Sequence, residues 1–125
     1  MQPRIQHVSV PRPPNSDDQA RQFYGQLLGL EEIPPPTSLA TLNVIWYRLG
    51  DTELHLLIEE QSGQDRSGRH FCIAVEDVEA LRERLEIAGV AVVGTTAIPG
   101  RPRYFIRDPF GNLIEITTIE DTNLI

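Results

Sequence analysis

Apolar residues return at every second position in some stretches of this chain and at every third or fourth in others, and these two periods divide it into elements. Residues 5–10 alternate, with Val8 and Val10 on one side of an extended chain and Ile5, His7 and Ser9 on the other, and Pro11, Pro13 and Pro14 end the strand. Ala20, Phe23, Tyr24, Leu27 and Leu28 recur at helical spacing. Ser16, with Gln19 three residues on, predicts the N-cap of that helix, and Gly29 predicts its left-handed end. Residues 30–33 read as a strand stopped by Pro34, Pro35 and Pro36. The stretches 44–49 and 53–58 predict a hairpin turning at Gly50 and Asp51, and polar 59–68 predicts a linker.

Residues 70–75 alternate again, with Phe71, Ile73 and Val75 opposed to His70, Cys72 and Ala74. Asp77 predicts the cap of a helix carrying Val78, Leu81, Leu85 and Ala88 on one face, closed by Gly89. Residues 90–93 read as a strand and 95–102 as a loop. The final hairpin, 103–117, turns at Asp108, Pro109, Phe110, Gly111 and Asn112, where proline fixes φ and glycine supplies a positive one.

Both halves therefore run strand, helix, glycine, short strand, loop, hairpin, the mark of one supersecondary unit used twice. Gly29 follows His7 by 22 residues and Gly89 follows His70 by 19. In the last strands, Leu54, His55 and Leu56 fall opposite Ile114, Glu115 and Ile116. His7 is thus the counterpart of His70, and His55 of Glu115.

Composition narrows what such a duplicated unit can do. At 125 residues and 40% hydrophobic content the chain predicts a single domain, 1–125, with one core. Eighteen acidic residues against 11 basic ones, net charge -7, predict neither nucleic acid nor a membrane surface as partner. The lone Cys72 offers no internal disulfide and reads as a small buried hydrophobe. With no targeting or membrane-spanning segment legible, a soluble protein of a reducing, cytoplasmic compartment is expected.

Within that frame all three histidines and one mid-strand carboxylate occupy two pairs of equivalent positions. A carboxylate in such a strand is costly to bury without a partner. Taken singly, each of His7, His55 and His70 reads as a hydrogen-bonded strand residue, and Glu115 as a solvated one. Together they predict one shared metal site on a concave face, because imidazole and carboxylate suit divalent first-row ions. Trp46 and Arg48, with Arg103 and Phe105, sit at alternating positions of the two penultimate strands and predict cationic and aromatic walls for a small-molecule substrate.

These residues give the chain its resemblance to the vicinal oxygen chelate superfamily, which includes glyoxalase I, bleomycin-resistance proteins, fosfomycin-resistance thiol transferases, methylmalonyl-CoA epimerase and extradiol dioxygenases. The motifs that carry it are His7-Val8-Ser9-Val10, Phe23-Tyr24 with Leu27-Leu28-Gly29-Leu30, Glu53-Leu54-His55-Leu56, His70 before Val75-Glu76-Asp77, and Asp108-Pro109-Phe110-Gly111-Asn112 leading to Glu115. The resemblance implies an α+β fold of two βαβββ modules, 4–58 and 69–118, forming a cupped mixed sheet that a second chain pairs into barrels as a homodimer. It implies one divalent metal ion per site (Fe, Mn, Zn, Ni or Co) on His7, His55, His70 and Glu115. The activity implied is glyoxalase- or lyase-like, or dioxygenase-like, on an oxygen-rich small molecule chelated through neighbouring oxygens, with Glu115 and His55 as proton carriers.

Glyoxalase I has a carboxylate where His55 stands, which speaks against that particular activity. Without His55, the set His7, His70 and Glu115 resembles the two-histidine, one-carboxylate ligands of the dioxygenase and fosfomycin branches. The alternative is a non-catalytic binding protein of the bleomycin-resistance type, with Trp46, Phe105 and Tyr104 lining its groove.

Overall fold

The computed structural model describes residues 1–60 and 66–118; residues 61–65 of the expected linker lie outside them. The chain is mixed α+β and resolves into two units, Met1–Asp65 with Pro109–Gly111, and Arg66–Asp108 with Asn112–Ile125.

The first unit runs β1 (His7–Arg12), a short α1 (Asp17–Ala20) that continues as a π-helix (Arg21–Leu27), β2 (Glu31–Ile33), a 3-10 turn (Thr37–Leu42), β3 (Ile45–Leu49) and β4 (Thr52–Ile58). Its sheet has the order β1-β4-β3-β2, with β1 parallel to β4 and the other pairs antiparallel. The first strand is not stopped at Val10: it runs on through Pro11 to Arg12. An edge strand allows this, because the missing proline N–H faces away from the ladder. Nor is the expected capping box built. Ser16 Oγ donates to the Pro13 carbonyl and accepts from Arg12 Nη1, so it makes no side-chain cap bond. Residues Phe23 and Tyr24 of the π-helix are buried with Val10, Ile45, Tyr47, Leu54 and Leu56, and Gly29, at φ 76°, ends the element as expected.

Arg12 is fully buried among these groups. Its guanidinium donates to Asp17 Oδ1 at 2.7 Å, to Ser16 Oγ at 3.1 Å and to the Asn43 carbonyl at 2.7 Å. Asn43, itself left-handed at φ 51°, reaches back to Asp17 through Nδ2. One cation thereby ties the start of α1 to the end of the 3-10 turn.

The second unit runs β5 (His70–Ala74), α2 (Val78–Ile87), β6 (Arg103–Arg107) and β7 (Leu113–Thr117), with sheet order β5-β7-β6 and β5 parallel to β7. Asp77 caps α2 by accepting from Ala80 N, and Val78, Leu81 and Leu85 are buried with Tyr104, Ile106, Ile114 and Ile116. Ala88 does not join that stripe and is exposed. The expected strand at 90–93 shrinks to a single bridge from Val93 to Phe105 on the edge of β6, where Val93 is itself largely exposed and so gains little burial from a longer ladder.

Candidate functional site

Strand register places the polar residues. In the first unit His7 lies opposite Glu53 and Ser9 opposite His55; in the second His70 lies opposite Leu113 and Cys72 opposite Glu115. In both, the polar residue of the last strand stands two places beyond the partner of the first-strand histidine. Two places is one step along the same face of a strand, so each pair meets diagonally across parallel neighbours. The duplication read from the sequence is therefore a duplication of geometry within each unit.

His70 and Glu115 meet side chain to side chain. Nδ1 of His70 lies 2.9 Å from the Gly68 carbonyl, which can only accept, so Nδ1 carries the proton. Nε2 then turns its lone pair toward Glu115 Oε1, 3.1 Å away. Two acceptors that face each other this closely call for a cation or a second ring proton between them. Two ligands at right angles about an ion at about 2.1 Å lie about 3.0 Å apart, so the pair also fits a metal. The other oxygen of Glu115 accepts from Arg103 Nη1 at 3.3 Å, and Arg103 Nη2 donates to the Thr96 carbonyl. Phe105 sets its ring edge-on to His70 with centroids 4.9 Å apart. Arg103, Phe105, His70 and Glu115 thus form one cluster.

The first unit is arranged otherwise. His7 and His55 stack, centroids 4.2 Å apart and planes at 17°, and Trp46 lies flat on the other side of His55 at 3.7 Å. His55 is thereby sandwiched, and its Nε2 lies 2.9 Å from Glu53 Oε1. Since a carboxylate accepts, Nε2 carries the proton and Nδ1 the lone pair. His7 Nδ1 lies 2.7 Å from Gln6 Oε1, which leaves its Nε2 lone pair available. Lone pairs lie in the ring plane, so two stacked imidazoles direct theirs side by side rather than at one point. His7 and His55 can share an ion only if the stack opens. Among the described residues no group of three or more His, Cys, Asp and Glu side chains comes together in a form that could hold a metal.

Arg48 stands apart from the stack, exposed and 3.6 Å from Glu31. By register its counterpart in the second unit is Arg107, since Trp46 lies opposite His55 and Phe105 opposite Glu115. Cys72 is exposed rather than a buried hydrophobe, because its face of β5 is the polar one. Protein packed round its sulfur, and then the Glu115 charge, push the thiol up to about 11. Tyr104 points the other way, into the core, and donates to the Val78 carbonyl at 2.9 Å; it lines no groove on the His70 face. Sequence reasoning missed Glu53. The signal was present, since Glu53 and His55 are two apart in one strand and share a face. The hydrogen bond from His55 holds the Glu53 carboxyl below the usual range.

Comparison with known proteins places this geometry. The model of the Glyoxalase/Bleomycin resistance protein/Dioxygenase superfamily matches residues 4–116. No curated protein matches the chain. Among solved structures, a glyoxalase family protein from Bacillus anthracis is 31% identical, covering 95% of this chain and 97% of that one, with TM-score 0.84. A lactoylglutathione lyase from Agrobacterium tumefaciens, at 22% identity and 92% coverage of each chain, gives TM-score 0.68. A genomically encoded fosfomycin resistance protein from Listeria monocytogenes, at 15% identity and 94% coverage of each, gives 0.76. At these last two identities the likeness is one of fold.

Proposed function

Because the chain belongs to the Glyoxalase/Bleomycin resistance protein/Dioxygenase superfamily, we propose that it is a divalent-metal-dependent enzyme acting on a small molecule held through neighbouring oxygens. The observation that carries this reading is the His70–Glu115 pair, with Nδ1 anchored on a backbone carbonyl and Nε2 set 3.1 Å from a carboxylate oxygen. Anchoring the far nitrogen on a carbonyl is the outer-sphere arrangement that orients an imidazole toward a metal.

The ligands in this reading are His70 and Glu115, side by side in the second unit, and His7 and His55 could serve an ion together only if their stack opened. When bound, the ion supplies Lewis-acid polarisation of a substrate oxygen, or oxygen chemistry if it is iron. His55 has another task. Held between Trp46 and His7, with its Nε2 proton on Glu53, it presents Nδ1 as a proton acceptor of fixed orientation. Glu115, neutralised in part by Arg103, is the second proton carrier when a substrate displaces that contact. The ring of Phe105, edge-on to His70, gives a substrate an apolar wall beside that pair. A homodimer, common in this superfamily, is part of the same reading, and light scattering measures it.

Metal titration with elemental analysis tests the proposal. His70→Ala and Glu115→Ala are expected to lose at least about a hundredfold in affinity, and His55→Gln little. Wild-type affinity in both of the first two variants would overturn it. The flat column of Trp46, His55 and His7 favours a second reading, a binding protein that stacks a planar ligand on Trp46, and that reading survives the loss of the first.

A further inference from the structure

A run of side-chain hydrogen bonds in the first unit links His55, Glu53, Gln6 and His7, and its donor-to-acceptor sense is set at the carboxylate. The bond from His55 comes first among the causes that hold the Glu53 carboxyl below its usual range, so near neutral pH its oxygens only accept. They accept from two sides, from His55 Nε2 at 2.9 Å and from the side chain of Gln6. Gln6 can donate only through its amide nitrogen, which leaves Oε1 to face the other way. That oxygen lies 2.7 Å from His7 Nδ1, so Nδ1 carries the proton. The backbone keeps the run together, because Glu53 N donates to the Gln6 carbonyl at 3.2 Å and His7 is the register partner of Glu53.

The two nitrogens of an imidazole point in widely divergent directions. Anchoring His55 through Nε2 and His7 through Nδ1 on one Glu53–Gln6 pair therefore aims both remaining lone pairs away from that pair. Stacking at 4.2 Å, with planes 17° apart, keeps the rings from turning independently, and Trp46 covers the other face of His55. For His55 the proton sits on Nε2, where a neutral histidine in water already prefers it. For His7 it sits on Nδ1, the less favoured place. An amide alone does not enforce this, since it offers an oxygen or an NH2 group according to which way it is flipped. The carboxylate behind it fixes the flip.

We propose that Glu53 and Gln6 are a positioning pair: they fix the tautomers of His55 and His7, so that the stacked rings present two proton-accepting nitrogens away from the pair. What this does for a reaction rests on the proton-acceptor role of His55 proposed above. The tautomers themselves rest neither on that role nor on a metal at His70 and Glu115, so either reading can fail while the other stands.

NMR of the ring nitrogens in the isotopically labelled full chain, at a pH where the rings are neutral, tests the proposal, with His7→Gln and His55→Gln assigning the signals. The parent is expected to show His7 with its proton on Nδ1 and His55 with its proton on Nε2. Glu53→Gln replaces the fixed acceptor by an amide that can face either way, which frees Gln6 to flip. The ratio of Nδ1–H to Nε2–H at His7 should then fall about fivefold, the worth of one ordinary hydrogen bond. Gln6→Leu should lower it as much, whereas Gln6→Glu keeps an acceptor beside His7 and should keep the proton on Nδ1. A parent His7 protonated on Nε2 would overturn the proposal. So would a His7 ratio unchanged in both Glu53→Gln and Gln6→Leu while their circular dichroism matches the parent, because a merely structural pair leaves the tautomer alone.

Discussion

Replacing Arg12 by methionine is expected to cost the fold about 3 kcal/mol. The methionine fills most of the volume of the arginine stem, so the loss comes from the guanidinium. Arg12 is fully buried and donates to Asp17, Ser16 and the Asn43 carbonyl. Removing one member of a buried ion pair costs about 3–5 kcal/mol when the partner is left stranded. Asp17 is not fully stranded, because its side chain is 33% exposed and can take up water, which places the figure at the low end. Urea unfolding followed by the single tryptophan should show a midpoint lower by about 2 M, at a slope near 1.5 kcal/mol per molar.

Acid should erase part of this difference. The hydrogen bond from Arg12 holds the Asp17 carboxyl below its ordinary range. A depressed carboxyl stabilises the fold fully above its unfolded value of about 3.9, and that contribution fades as pH falls through the lower folded value. The gap between parent and Arg12→Met must therefore narrow in that window. A midpoint shift corresponding to less than about 1 kcal/mol at neutral pH would refute the argument. So would a gap that stays constant into acid.

Two buried phenols should respond in opposite ways. Tyr104→Phe removes the bond to the Val78 carbonyl and is expected to cost about 1 kcal/mol, whereas Tyr47→Phe removes a buried hydroxyl that makes no hydrogen bond and should be neutral or stabilising by thermal melt. Trp46 is the only tryptophan and lies 3.7 Å from His55, so His55→Ala should change its emission. If His55 stays in the stack, adding a divalent ion to the parent should leave that emission nearly unchanged; a large change on metal addition would move His55 into the ligand set.

The alternation and repeat in the sequence put His7, His55, His70 and Glu115 at matching places of two halves, because strand register follows from the buried positions Leu54, Leu56, Ile114 and Ile116, but they did not show that His7 stacks on His55 while His70 meets Glu115. The α+β architecture of small mixed sheets was legible for the same reason. What each pair does was less so. Stacking of His7, His55 and Trp46 depends on rotamers, and a period-two pattern gives only the face. Arg12 was missed because a charged residue among prolines reads as surface, and only the tertiary positions of Asp17 and Asn43 make its burial affordable. Ser16 has the right type and spacing for a cap, but Arg12 and the Pro13 carbonyl compete for its hydroxyl and win. The apolar run at 90–93 has strand composition without a neighbouring edge along its length.

One consequence of the shared diagonal concerns how such a protein can change. Each half works as a cassette whose backbone is indifferent to which donor occupies the rung at 55 or at 115. A single exchange, His55→Glu, would give the first half the same imidazole and carboxylate that the second already carries, with no strand displaced. Chemistry in this scaffold can therefore drift one letter at a time, and each half can do so while the other keeps its own.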